Sequence, residues 1–331
     1  MKRVLLAVML GIGVWFSAGT YAGAIVDTAF VADALKRGAI VWDVRGAEDY
    51  RKGHIPGAVS IGEIGAALRY EHNEDYLPTP QIEKILGAAG IDPAREIVVY
   101  GDKGSPFTYF GLFTVEYFGG KNGRIYHGGI DDWKAAGREL ATEPTRLAPA
   151  TLKLAPNAEV AALTEEVVSK LGSNVQIVDV RTPKEYSGED IRAIRGGHVP
   201  GAVNIPYEQN WADPATPQKL ARKEVANKDG MGLKSPEQLK ALYARLDPHR
   251  ETIVYCQSGV RASETAAVLK DLGFDKVKVY DSSWLGYANS LSAPVEDVSF
   301  FNVGLTSSRL AALQRRVEAL EKALAEAKAA K

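Results

Sequence analysis

Apolar positions in this chain fall into short continuous runs, and most of the runs occur twice. Val41-Trp-Asp-Val-Arg45 and Ile177-Val-Asp-Val-Arg181 each close on an acid and a base. Ile97-Val-Val-Tyr100 and Thr252-Ile-Val-Tyr255 each close on a tyrosine. Runs of this length, rich in β-branched and aromatic residues and bounded by turn residues, predict strands buried on both faces. Each half continues with a helical stretch, another short strand and a tryptophan: Tyr126 then Trp133, and Val277 then Trp284. Strands alternating with helices predict small parallel sheets flanked by helices, an α/β fold.

Between the first two runs of each half lies a shared octapeptide. His54-Ile-Pro-Gly-Ala-Val-Ser-Ile61 and His198-Val-Pro-Gly-Ala-Val-Asn-Ile205 differ only at Ile55/Val199 and Ser60/Asn204. The same signals in the same order indicate two copies of one domain, 25–145 and 156–300. The linker is 146–155, in a stretch punctuated by Pro149 and Pro156. Within the octapeptide, Pro sets the entry to a turn and Gly allows a tight backbone. His54 and His198 are therefore expected to be hydrogen-bonded structural residues. The Asp and Arg of each Asp-Val-Arg are expected to pair within their own domain.

After the second copy the pattern changes. Val303, Leu310, Val317 and Leu324 share one heptad position, and Leu313, Leu320 and Ala327 share the other. This amounts to about three heptads and predicts a coiled-coil helix over 305–331, capped by Ser307 or Ser308. The seam is narrow and the other faces are charged or alanine. That favours a homo-oligomer through this helix over packing back onto the chain's own domain.

The composition narrows the class. The chain has 331 residues, 46% hydrophobic and 24% charged. It is long enough for two packed cores, and it is neither disordered nor a multi-span membrane protein. Forty Lys+Arg against 41 Asp+Glu leave a net charge of −1, which argues against a nucleic-acid binder. The first residues read as a cleaved signal peptide, 1–24. Lys2 and Arg3 precede an apolar run, Val4 to Phe16, and Ala22-Gly23-Ala24 is a small-x-small cleavage site. The expected destination is the periplasm, with no stable membrane span after cleavage. One cysteine, Cys256, allows no internal disulfide and no cysteine-rich metal site.

That cysteine ends a predicted strand and opens a loop, Cys256-Gln-Ser-Gly-Val-Arg261, followed by a helical stretch from Ala262 to Leu272 that Gly273 stops. A strand–loop–helix unit of this kind can aim successive backbone N–H groups at one centre, with the helix N-terminus adding partial positive charge. A cysteine there is held as a thiolate and acts as a nucleophile. Gly259 supplies backbone freedom, and Arg261 can orient the ring of amides or meet an anion. The first copy is an internal control. Its corresponding loop, Gly101-Asp-Lys-Gly-Ser-Pro106, has neither the thiol nor the arginine. One active and one inactive copy is the economical reading.

Asp-Val-Arg, His-x-Pro-Gly-Ala, Lys234-Ser-Pro-Glu-Gln-Leu239, Cys256-Gln-Ser-Gly-Val-Arg261 and Tyr280-Asp-Ser-Ser-Trp284 together resemble the two-domain rhodanese (sulfurtransferase) family, across about residues 25–300. The resemblance implies tandem rhodanese-like domains with the active cysteine in the second. It implies transfer of a sulfane sulfur from a small donor to a thiophilic acceptor through a Cys256 persulfide, with no metal and no organic cofactor. Gln257, Ser258, Gly259, Val260 and Arg261 would bind substrate. Arg192 and Arg195, in an insertion before His198, would add to them. Thiosulfate is the favoured donor and mercaptopyruvate the second. The loop departs from both specialised groups at Gln257 and Arg261. Glu185 stands where both usually carry an anion-binding arginine. A sulfur carrier for a protein partner is the alternative. Phosphatase or arsenate reductase chemistry is disfavoured, because only four residues separate Cys256 from Arg261.

Overall fold

The computed structural model describes residues 23–329, so the basic start and apolar run of the expected signal peptide lie outside the described residues. The first sheet contains β1 (Ile40–Asp43), β2 (Val59–Ser60), β3 (Ile97–Tyr100) and β4 (Gly123–Tyr126) in the order β2-β1-β3-β4. The second contains β5 (Ala161–Ala162), β6 (Gln176–Asp179), β8 (Val203–Asn204), β9 (Thr252–Tyr255) and β10 (Val277–Tyr280) in the order β5-β10-β9-β6-β8. All pairings in both sheets are parallel. The registers coincide, with Asp43 opposite Tyr100 and Asp179 opposite Tyr255. Every residue of β1, β3, β6 and β9 is buried, as parallel strands covered on both faces require.

The repeated motifs lock the same turn in each copy. Arg45 reaches Asp43 at 2.6 Å and the Gly53 carbonyl at 2.8 Å. Arg181 reaches Asp179 at 2.6 Å and the Gly197 carbonyl at 2.8 Å. His54 stacks on Tyr50 at 3.8 Å and His198 on Tyr186 at 3.6 Å, each with Nδ1 at its tyrosine's carbonyl. The histidines and the Asp–Arg pairs are structural, as their setting in the sequence predicts.

Successive strand residues point to opposite faces, and one face of each sheet contributes to a single shared core. Trp42, Val44 and Val99 of the first copy and Val178, Val254 and Cys256 of the second belong to it. The helices that follow the two loops, Pro106–Tyr117 and Val260–Asp271, pack against each other across this core. Both are buried over most of their circumference, so neither shows a narrow apolar stripe. The copies also exchange contacts at their loops. The second copy sends Met231 and Asp229 to the first copy's cysteine-less loop. Met231 offers its carbonyl to His127 Nε2 at 2.8 Å, and Asp229 meets Lys103 at 3.3 Å. Burial drives the His127 pKa down to about 4, so its imidazole is neutral in this contact.

Two features depart from the expected pattern. The insertion before His198 is no free loop: β7 (Arg195–His198) pairs antiparallel with β11 (Glu296–Phe300). The terminal helix, Val303–Ala329, starts before Ser307 because the Asn302 side chain accepts the Leu305 N–H at 2.9 Å and caps it there.

Candidate active site

Cys256 follows the last residue of β9 and is 1% exposed. Its N–H and that of Gly259 both donate to Ser283 Oγ, at 3.1 and 3.0 Å. Ser283 Oγ in turn donates to the Tyr280 carbonyl at 2.6 Å. One hydroxyl thus draws the two ends of the turn together. Among the described residues no acceptor takes up the N–H groups of Gln257, Ser258, Val260 or Arg261. They stand at the start of a 12-residue helix whose dipole adds positive potential. Free donors at a helix start beside a thiol suit the loop to hold an anion. Gly259 sits at φ +81°, and a Cβ there would lie 2.5 Å from Asp281 Oδ1. Only glycine makes this turn without strain.

Arg261 does not reach freely into the cleft. Its two terminal nitrogens donate to both carboxylate oxygens of Glu185, each at 2.8 Å. Glu185 also closes a capping box with Thr182 and accepts from Arg192 Nη1 at 3.1 Å. Burial opposes the charge on Glu185, but the bonds and charge of Arg261 overcome it and pull its pKa down to about 2. The Glu185 carboxylate therefore faces the cysteine loop and takes up the arginine at the loop's end. Burial also raises the carboxyl pKa of Glu208, with the charges of Arg261 and Glu185 close by.

The remaining candidates divide. Gln257 Nε2 donates to the Arg192 carbonyl at 2.8 Å, tying the insertion to the loop. The Ser258 carbonyl accepts from Arg69 Nη1 at 2.7 Å, a residue of the other copy. Arg192 is at the site, half exposed and held on Glu185. Arg195 is not where a substrate-binding role requires. Its guanidinium is buried and donates to the carbonyls of Ala288, Tyr287 and Ser290, because β7 turns it away from the cleft. Sequence reasoning missed Ser283 as a loop clamp, although Tyr280-Asp-Ser-Ser-Trp284 carried it. It missed Arg69 altogether, since nothing local marks a contact between copies. Among the described residues there is no cluster of His, Cys, Asp and Glu fit for a metal, and no helix long and apolar enough to cross a membrane.

Two stretches, residues 27–136 and 163–290, match the rhodanese-like domain. The chain belongs to the rhodanese-like family. A thiosulfate sulfurtransferase of Corynebacterium glutamicum is 34% identical over 262 residues, covering 75% of this chain and 81% of that protein. The relationship makes this chain a sulfurtransferase with two rhodanese-like domains. The fold also superposes on an anaerobic ergothioneine biosynthesis enzyme from Chlorobium limicola in complex with trimethyl histidine. That match has a TM-score of 0.70 at 23% identity, covering 82% of this chain and 70% of the other. A structure of EanB with a cysteine persulfide and ergothioneine gives 0.69 at 22% identity, covering 82% and 70%. At such identities the likeness shows the fold alone.

Proposed function

We propose that Cys256 carries the transferred sulfur, with thiosulfate as the favoured donor. The thiolate attacks the sulfane sulfur. The S–S bond of thiosulfate breaks, sulfite leaves with the electron pair, and Cys256 becomes a persulfide. An acceptor such as cyanide or a thiol then attacks the outer sulfur, and the thiolate is released. The observation that carries this reading is the loop that the chain's one thiol opens, whose N–H groups at the start of a helix lack acceptors among the described residues, which suits a persulfide anion. Gln257, Ser258, Val260 and Arg261 offer these N–H groups to the substrate, Gly259 gives the loop its left-handed turn, and Arg192 stands beside it on Glu185. The thiosulfate sulfurtransferase relative supports the donor. The pairing of Arg261 with Glu185 weighs against phosphatase chemistry, in which that guanidinium holds the phosphate. The burial of Cys256 supports small donors over carriage to a protein partner.

The same reading has the protein exported to the periplasm by its first 24 residues and assembled through its terminal helix. Cell fractionation with N-terminal sequencing of the mature protein tests export. Intact-protein mass spectrometry tests the chemistry. Thiosulfate should add one sulfur atom that cyanide removes, and Cys256→Ser should gain none and turn over no donor. Retained turnover in Cys256→Ser would sink the proposal.

A further inference from the structure

The copy without a cysteine places a charged side chain directly against the active loop. Arg69 is buried, and its Nη1 holds the Ser258 carbonyl at 2.7 Å. Its guanidinium lies over the Phe110 ring, 4.8 Å from the centroid, which fixes its plane. Its Nε and Nη2 make no hydrogen bond, although Nη2 stands 3.5 Å from Asp281 Oδ1. Asp281 Oδ1 is itself buried without a hydrogen-bond partner. Asp281 is also the residue that closes off any side chain at Gly259. A second link between the copies lies alongside, with Ser282 Oγ donating to Asp75 Oδ1 at 2.8 Å.

A buried guanidinium with spare donors is costly unless its surroundings use the charge. Here the charge lies against the loop that must hold a thiolate and then a persulfide anion. The one loop carbonyl it holds belongs to the peptide that joins Ser258 to Gly259. The N–H of that same peptide is held by Ser283 Oγ at 3.0 Å, so the two contacts fix one peptide of the loop from both sides.

We propose that Arg69 is a positioning residue for sulfur transfer. It holds the Ser258–Gly259 peptide by its carbonyl while Ser283 holds the N–H of the same peptide, which fixes the path of the loop around Cys256 and leaves the neighbouring N–H groups free, and its charge balances Asp281. The inactive copy is thereby half of the active site's support. This inference rests on Cys256 being the sulfur carrier.

Groups that face Asp281 are Arg69, Asp75 and Glu74, and burial raises its own pKa to about 6. Arg261 and Tyr207 interact with Cys256, and Glu185 and Glu208 with Arg261. Arg69→Met should leave thiosulfate KM nearly unchanged and lower kcat about tenfold or more, as misplacement of reacting groups does. The pH midpoint for iodoacetamide alkylation of Cys256 should move upward, a shift that mere loosening of the core would not give. Arg69→Lys, which keeps the charge and one donor, should recover part of both.

Wild-type kcat and midpoint in Arg69→Met overturn the proposal. If that variant does not fold, Asp281→Asn decides. Removing the carboxylate leaves Arg69 unbalanced and should move the midpoint down, and an unmoved midpoint overturns the proposal. The underlying reading is judged separately. Absence of a persulfide on wild-type Cys256 by mass spectrometry defeats that reading, whereas a persulfide with unaltered Arg69 variants defeats only the role of Arg69.

Discussion

At the scale of single residues, two buried carboxyls are perturbed in opposite directions. Glu185 is pulled from its ordinary 4.5 to about 2, with Arg261 outweighing burial. Its contribution to stability is present above about pH 4.5 and is lost as the pH falls towards 2. Glu264, on the helix after the cysteine loop, is raised well above 4.5 by burial, despite the Trp211 N–H at 2.9 Å. Its Oε2 has no partner, which a proton relieves. The stability it contributes is complete below the unfolded value and declines as pH rises through the folded one. Thermal melts of Glu264→Gln against wild type should therefore diverge in the variant's favour as pH increases, and a gap independent of pH would show that Glu264 does not titrate. Glu185 also bears on donor choice. Glu185→Gln keeps the side chain's shape and part of its cap, and it frees the charge of Arg261. Thiosulfate KM should fall about three- to tenfold, less at high salt, as one released cation near a dianion implies. Unchanged KM in steady-state assays would mean that the donor does not approach Arg261. An arginine at position 185 is the poorer test, because it would face Arg261 and lose the capping box.

At the scale of elements, the sequence was most legible where a motif recurred. The strands read correctly because parallel pairing with both faces covered demands continuous apolar runs, and each run was seen twice. The strand–loop–helix around Cys256 was legible for the same reason, with Gly101 as its blank counterpart. β7 was not, because Arg195-Gly-Gly-His198 has no alternation and its partner β11 lies far along the chain. The direction of Arg195 went with it, since only the pairing of β7 shows which side of the strand faces the cleft. Ser283 lies between these cases. Its residue type was visible, but its reach back to Cys256 and Gly259 depends on a positive φ of 49° that no pattern announces. The turn itself offers a sharp test. Gly259→Ala adds about 1–2 kcal/mol for a left-handed conformation, besides its collision with Asp281. It should lower the melting temperature and reduce turnover by more than the unfolded fraction explains, because relief of the clash reorients the loop's N–H groups. Full turnover per folded molecule would show that the loop tolerates another path.

At the scale of the whole molecule, the two domains share one core, and the 27-residue helix Val303–Ala329 shares none of it. Leu310, Leu313, Val317, Leu320 and Leu324 each remain more than half exposed. An isolated helix gains little from water, and burying such side chains yields about 1.5–3 kcal/mol each when burial is complete. The proposed assembly would seat a second copy of the same helix on this seam. The heptad phase that puts Leu310, Val317 and Leu324 at a and Leu313 and Leu320 at d leaves Arg316 at g and Glu321 at e. In a parallel, in-register pair these two oppose each other across the seam, as partner selection in coiled coils uses. The residues proposed for chemistry lie within a single chain, so assembly is not needed to complete them. Truncation after residue 304 should give a smaller species in light scattering while turnover per Cys256 stays near that of the full chain. Arg316→Glu should shift the full chain the same way, and mixing it with Glu321→Arg should restore the larger species. An unchanged mass on truncation would remove the helix as the assembly element. A smaller species that also loses turnover would place part of the active site between subunits.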